Sequence, residues 1–509
     1  MALVAKSSGN RQEVFQRPAS CDLSISFMTI RSRSMFLVSG WAIAAVLPGG
    51  ALPVDFPVGT ALPVTAAVPA EEQVDQQIVA LPISMTSVRF PVYTTDGSRI
   101  LAAATSTDFP GPQLVSFTES GSAVQCLTCS GWNGPELLKP IPFRDGRRVL
   151  VRIGAQTSTS PADHGVVECT PSVLDCRSAR VLPIVPPAGD DPNVVQDQRE
   201  FRLAPDGIHV GLTQVRRTPT DGVTGVAIVG TLIRHGDVYQ VDEARAVATG
   251  GELKGFTPDG QSITFARYFN AFEAGNPDDA VIDLHTGDER RLTTALDWDE
   301  DVDISAQRYR GHRWMVVGSA RGTKLLETVS QIRRPTFIDE GMKALPFAVF
   351  VNRNPEIAEP WLTVEGESRG GIGQPLAPGA VARGWDSKPG FRWKPDATAV
   401  VFWQQRITDA QTRVVIAHLP ERKPSKIAPA RRTPTPRWAP PIDGYFPSDV
   451  SLPTSHSGRI SGDLQIVQRP SPVPNFDFLL KITYRNYADE TGYVINGVER
   501  SYYDKPTLY

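Results

Sequence analysis

Acidic residues recur immediately ahead of the most regular strand-like segments of this chain: Glu136, Asp197, Glu200, Glu252, Asp299, Glu300, Asp301 and Asp386. Two facing carboxyl groups, one protonated and one ionised, are the usual equipment for splitting a glycosidic bond. Glu200, Glu252 and Asp301 are the candidates for those acid and base roles. Arginines follow the next strand-like segments at Arg267, Arg321 and Arg406, and the guanidinium fork suits an anionic group better than any other side chain. Tyr268 beside Arg267 would suit a different reaction, proton abstraction with elimination. Trp132, Trp298 and Trp385 fall in the same connecting stretches and would wall an apolar ligand. For each charged residue the competing reading is an ion pair between neighbouring structural units.

Other patterns carry less. Gly366-Glu367-Ser368-Arg369-Gly370 matches the nucleophile elbow of serine hydrolases. That elbow requires a strand before it and a helix after it, and Gly371 to Pro375 cannot start a helix. His209, His235, His285, His312, His418 and His456 are scattered singly, with no spacing that suggests metal ligation. Of five cysteines, Cys21 lies upstream of an apolar leader. Cys169 and Cys176 flank a turn-like stretch and are paired as a disulfide; Cys126 and Cys129 would close a tight local loop, with a redox pair or half a zinc site as alternatives. No metal or cofactor is expected.

What must position these residues is a repeat. Asp-Gly turns at Asp96, Asp145, Asp206 and Asp259, separated by 49, 61 and 53 residues, and a related turn at Asp396, each precede an alternating strand. Asp-Gly between alternating segments signals a hairpin. A further unit runs from Asp303 to Val317 without the turn motif. Six units of about fifty residues, each with four strand-sized pieces, predict an all-β fold, a six-bladed propeller. The fourth unit, through His285-Thr286-Gly287-Asp288 to Thr293, resembles the TolB-type propeller repeat. In such a ring the segments entering each inner strand, and those linking the second and third strands, gather at one mouth. The carboxylates, arginines and tryptophans above all fall in those segments.

The ring is expected over residues 76–420. A Pro-rich stretch, 421–450, reads as a linker, and 451–509 as a small, β-sandwich-like and incomplete module. Residues 1–75 read as a signal region and a flexible lead: Arg31 and Arg33 precede the apolar run Met35–Pro48, with Met28 or Met35 as the start and a retained anchor as the alternative. A secreted, extracellular or periplasmic protein is therefore expected, with no membrane contact beyond the signal peptide. The net charge of −3 with mixed signs gives no footprint for nucleic acid. The chain is expected to be a monomer.

Taken in order, Gln125-Cys126-Leu-Thr-Cys129, Phe143-Arg144-Asp145-Gly146-Arg147, Glu168-Cys169 through Cys176, Glu200-Phe201-Arg202-Leu203-Ala204-Pro205-Asp206-Gly207, Val401-Phe402-Trp403-Gln404-Gln405 and Ile482-Thr483-Tyr484-Arg485-Asn486-Tyr487 resemble the fungal saponin hydrolase family over most of residues 85–505. The resemblance implies a secreted propeller glycosidase that removes glucuronic acid from triterpenoid saponins, a small-molecule glycoside substrate. A glucuronide brings its own carboxylate, so Arg267, Arg321 and Arg406 become its expected clamp, with Tyr268 and Trp385 beside the substrate. A propeller that binds a protein or glycan without chemistry is the alternative.

Overall fold

The computed structural model describes residues 71–154, 163–188, 190–219, 223–267, 277–294, 298–322, 358–366, 373–427, 429–448, 454–458, 460–474, 478–488 and 494–503. Alternating apolar residues and Asp-Gly turns make this chain fold as successive antiparallel sheets. The first holds β2 (Met85–Tyr93), β3 (Ile100–Ser106), β4 (Pro112–Phe117) and β5 (Gln125–Cys126). The second holds β6 (Leu137–Pro142) to β9 (Asp175–Val185), by way of β7 (Arg148–Ile153) and β8 (Asp163–Ser172). The third is β10 (Val194–Leu203), β11 (His209–Arg217), β12 (Val223–His235) and β13 (Val238–Thr249); the fourth is β14 (Gly251–Phe256), β15 (Ser262–Arg267), β16 (Asp278–Asp283) and β17 (Glu289–Arg291). The fifth is β18 (Asp299–Tyr309), β19 (His312–Ser319), β20 (Glu359–Val364) and β21 (Gln374–Pro375).

The sixth sheet joins the two ends of the ring. Its inner strands β22 (Trp385–Trp393), β23 (Ala399–Arg406) and β24 (Thr412–His418) are completed by β1 (Asp75–Ile78), which pairs antiparallel with β24. Inner strands contact their neighbours around the circle, β22 against β2 and β2 against β6 among them. This is the architecture of a β-propeller, and its apolar layers lie between adjacent blades. Phe143, Val166, Phe201 and Leu212, for example, pack between the second and third. The outer strands of those two blades also pair in parallel at Tyr239–Ile184 and Gln240–Val185.

The turn aspartates hold the hairpins. Asp206 Oδ1 accepts from the backbone N–H of Ile208 and His209 at 2.9 and 3.0 Å, and Asp145 does the same for Arg147 and Arg148 at 2.8 and 3.1 Å. The glycine after each must adopt positive φ (70° at Gly207), which L side chains resist. In the fifth blade Arg310-Gly311, both at positive φ, makes the hairpin that its missing Asp-Gly would have made. Both disulfides are formed, Cys126–Cys129 and Cys169–Cys176.

The Pro-rich stretch after β24 is laid along the face that carries the turns. Thr433 N–H donates to Asp206, Trp438 Nε1 to the Leu284 carbonyl, and Ile442 N–H to the Ala244 carbonyl, at 3.0 Å each. The described residues of that stretch, which form no helix or named strand, thus spend backbone donors on the ring. The described C-terminal residues form one four-stranded antiparallel sheet of β25 (Ser455–Ser457), β26 (Ser461–Pro470), β27 (Phe478–Ala488) and β28 (Ile495–Tyr503). Among the described residues no helix is long and apolar enough to cross a membrane.

Candidate functional site

Each inner strand breaks its pairing register at a corresponding place, three of them at further places as well. The break falls between Arg89 and Val92, Leu138 and Ile141, Arg199 and Arg202, Leu253 and Gly255, Glu300 and Asp303, and Lys388 and Arg392. These are β-bulges, which re-aim side chains. Phe90, Lys139, Glu200 and Asp301 take φ of 53°, 47°, 51° and 65° there, a conformation that non-glycine residues rarely adopt and that clusters at functional positions. The bulges of different blades converge on the axis: Phe90, Lys139, Asp301 and Gly390 line one small space together with Arg202 and Arg392. Going round the ring, Lys139, Glu200, Lys254 and Asp301 alternate in charge.

Glu200, Glu252 and Asp301 therefore come together, though on the inner strands at or beside the bulges, not in the loops entering them. Their partners differ. Glu200 accepts from Lys139 Nζ at 3.1 and 3.3 Å and pairs with Arg202. Burial alone would raise its pKa, but Arg202 and Lys139 outweigh burial and hold it well below the usual carboxylate range. Glu200 is thus a fixed anion. Lys254, almost fully buried, donates to Glu252 Oε2 at 2.9 Å, pairs with Glu300, and lies 3.9 Å from Asp301. Glu252 also pairs with Arg199. Burial pushes Glu252 up, yet Lys254 and Arg199 bring it below the ordinary value. Burial pushes Glu300 up as well, and there Lys254 does not cancel it, because Glu252 and Asp301 add repulsion. Trp298 Nε1 donates to Glu300 Oε2 at 2.9 Å.

Two carboxyl groups joined to one ammonium and shifted in opposite directions have the form that a base and an acid would take. Because both bond the same nitrogen, their near oxygens lie no more than about 6 Å apart. Side-chain exposures of 25% and 27% leave both open to a ligand from the mouth. Glu300 stands next to the sequence-expected Asp301. Nothing in the sequence distinguishes the two, since the choice depends on which side of the bulge meets Lys254.

The expected clamp is dispersed. Arg321 is fully buried and bonded to the equally buried Asp299 at 2.7 Å, so it holds the strand ends and meets no ligand. Arg267, the last residue of β15, pairs with Glu289 at 2.8 Å on the outer strand β17. Arg406 bonds Asp409 within its own hairpin, with Nε to Oδ1 at 2.7 Å. The Trp385 ring is covered by the Arg413 guanidinium 3.9 Å from its centroid. Tyr268 lies outside the described residues, as do Glu367 to Gly370 of the elbow-like motif.

The cations at the mouth come instead from the first three blades. Arg89 pairs with Glu136; Lys139, Arg152 and Arg202 stand near Glu200. His164, absent from the sequence-derived candidates, pairs in register with Arg152 and shares a 3.2 Å hydrogen bond with Gln198. Burial, reinforced by Arg152, Lys139 and Arg202, drives its pKa down to about 3, so the ring is neutral. The mouth is divided: cations predominate toward the first three blades, carboxylates toward the fourth and fifth. Below the bulges the axial space holds about 30 Å³, room for a water molecule and no sugar. A ligand must therefore enter from the mouth. A cavity of about 590 Å³ lies elsewhere, between the outer strands of the second and third blades and the Pro-rich strap, lined by Asp242, Glu243, Arg245, Arg437 and Asp443 among others. Among the described residues no group of His, Cys, Asp or Glu is arranged to hold a metal ion.

One residue of the acidic half has a clear stability signature. Asp279, fully buried at the start of β16, has both carboxylate oxygens without a hydrogen-bond partner. Burial, with Asp299 nearby, raises its pKa well above the ordinary value. The folded protein thus retains a proton that the unfolded chain releases above about pH 4. Stability is full below that pH and falls as pH rises toward the folded-state pKa. Asp279→Asn should flatten the decline in denaturant midpoint between pH 5 and 8, and should be the more stable protein at pH 8 by on the order of 1–3 kcal/mol. Parallel pH profiles of the two proteins would sink this account.

No protein-family model matches the chain, and no curated protein matches it. Among solved structures it is similar, at low identity, to oligogalacturonate lyase from Vibrio parahaemolyticus (13% identity, 70% of this chain and 98% of that one, TM-score 0.37). It is also similar to a putative TolB from Agrobacterium tumefaciens (12% identity, 60% and 84%, TM-score 0.33) and to a puromycin hydrolase (12% identity, 85% and 60%, TM-score 0.31).

Proposed function

We propose that the protein is a secreted glycoside hydrolase that removes glucuronic acid from an apolar aglycone, as in the saponin hydrolases its sequence resembles. The observation that carries this reading is the pair Glu252 and Glu300 on one ammonium, Lys254, with opposite pKa displacements. Glu300 protonates the glycosidic oxygen as the bond breaks. Glu252, ionised, attacks or stabilises the anomeric centre, and water, giving a proton back to Glu300, then releases the sugar. Their separation falls on the retaining side of the two glycosidase geometries, so the sugar should leave with its anomeric configuration kept. Lys254, permanently charged and almost fully buried, holds both groups in place. The cationic half of the mouth offsets the charge of a uronate, and the two disulfides suit an oxidising compartment outside the cytoplasm.

The test is mass-spectrometric analysis of products, with proton NMR of the released sugar to follow its anomer, after incubation of the full chain with a soyasaponin glucuronide. Free sugar plus intact aglycone, with the β anomer formed first, is the expected result. An unsaturated uronate among the products would instead favour elimination. A folded protein with neither product would remove the hydrolase reading.

A further inference from the structure

Arginines recur near the mouth ends of the second strands: Arg152, Arg216, Arg267, Arg321 and Arg406. Four are committed, Arg216 to Asp191, Arg267 to Glu289, Arg321 to Asp299 and Arg406 to Asp409. Arg152 differs. It has no ion-pair partner among the described residues, and its Nε, like Arg216 Nη2 and Arg267 Nε, is buried without a hydrogen bond. A buried guanidinium donor left unmade costs free energy that a ligand can recover.

Its position suits a ligand. Arg152 is paired with Leu138, the residue just before the bulge at Lys139, so it stands on the mouth side of the ring of alternating charges. Its guanidinium carbon lies 5.9 Å from the centre of the Phe90 ring, and Phe90 is itself a bulge residue. The anion that acts on it most strongly, Glu200, is already spent on Lys139 and Arg202. Burial, with Arg202 and Arg89 close by, makes the free cation costly, only partly offset by Glu200 and Glu136. The neutral His164 beside it neither competes for an anion nor donates a second charge.

We infer that Arg152 is the carboxylate-recognition residue of the mouth. The ligand class, a uronic acid glycoside, rests on the glycosidase reading; the assignment of an acid-selective subsite to Arg152 does not. The expected clamp of Arg267, Arg321 and Arg406 is thereby replaced by a single residue on the second blade.

Calorimetric titration of the full chain with methyl β-D-glucuronide and with methyl β-D-glucoside tests this. The wild type should bind the acid more tightly by on the order of 10- to 100-fold. Arg152→Gln should lose that preference while keeping its affinity for the neutral glucoside and its melting temperature. Arg152→Lys, which retains the charge without the fork, should recover part of the preference and serves where the Gln variant does not fold. A wild type without preference for the acid, or an Arg152→Gln protein that keeps it, would overturn the assignment. A preference that disappears in Arg152→Gln, in a protein that cleaves no glucuronide, would uphold the subsite while the hydrolase reading fails.

Discussion

Glu300→Gln should lower turnover of an alkyl or saponin glucuronide at least about 1000-fold, yet leave most of the activity on an aryl glucuronide whose leaving group departs without protonation. The asymmetry follows from the role of the proton. An alcohol is a poor leaving group and needs the acid; an activated phenol does not. Glutamine keeps the shape of the side chain and one acceptor oxygen, loses the second bond because its NH2 must face either Lys254 or Trp298, and has no proton to transfer. Glu252→Gln should behave otherwise and lose activity on both substrates, with a small anion such as azide restoring part of it from the sugar's other face.

The pH profile separates the two residues further. Glu252 is pulled below the ordinary glutamate range and Glu300 is pushed above it. Activity should therefore fall on the acid side as Glu252 gains its proton and on the alkaline side as Glu300 loses its own. The two limbs belong to the coupled pair, since each charge acts on the other through Lys254. Glu300→Gln should abolish the alkaline limb on the activated substrate and keep the acid one. Equal losses on both leaving groups would remove Glu300 from the acid role.

The propeller was legible because its signal is local. An Asp-Gly turn dictates a hairpin through one carboxylate and one residue of positive φ, and the sequence repeats that device at four blades. The fifth blade, where Arg310-Gly311 replaces it, could be placed only by counting. That Glu200, Glu252 and Asp301 would meet at the axis was likewise readable from strand order. Which of them could hold a proton was not. The choice depends on Lys254, whose ammonium reaches Glu252 and Glu300 across a bulge that no composition or periodicity reveals. Arg321 shows the same limit from the other side. Arg321 is tied into an internal ion pair because Asp299, in register with Ser319 two residues before it, reaches its guanidinium. Arg152 went unremarked because it looks like any strand-end arginine until its neighbours' partners are known.

The second large effect concerns closure of the ring. Glu72→Gln should lower the melting temperature by roughly 5–10 °C, equivalent to about 3–5 kcal/mol. Glu72 has no exposed side-chain surface, and its carboxylate accepts from Arg422 Nε at 3.0 and 3.2 Å and from Nη2 as well. The Arg422 guanidinium lies among three rings, 4.8 Å from the centre of Tyr309 and 5.0 Å from those of Trp314 and Trp393. Those rings tolerate a cation but do not neutralise it. With the carboxylate gone, the charge remains buried with no counter-ion, which is the costly way to break such a pair.

The pair also occupies a strategic place. Glu72 precedes β1, a strand of four residues that completes the sixth blade, and its backbone is fixed by Gln374, which donates to the Glu72 carbonyl at 2.7 Å and accepts from its N–H at 3.0 Å. Arg422 begins the strap that crosses the turn face. One ion pair therefore ties both ends of the ring to its fifth and sixth blades. In Glu72→Gln the amides of Gln76 to Ile78 should exchange hydrogen before those of β23, because the short strand opens first. Replacing both partners by apolar residues, Glu72→Leu with Arg422→Met, should cost much less than the two single changes added together, since no charge is then left stranded. If the double replacement costs the full sum, the two residues act separately and the closure argument is wrong.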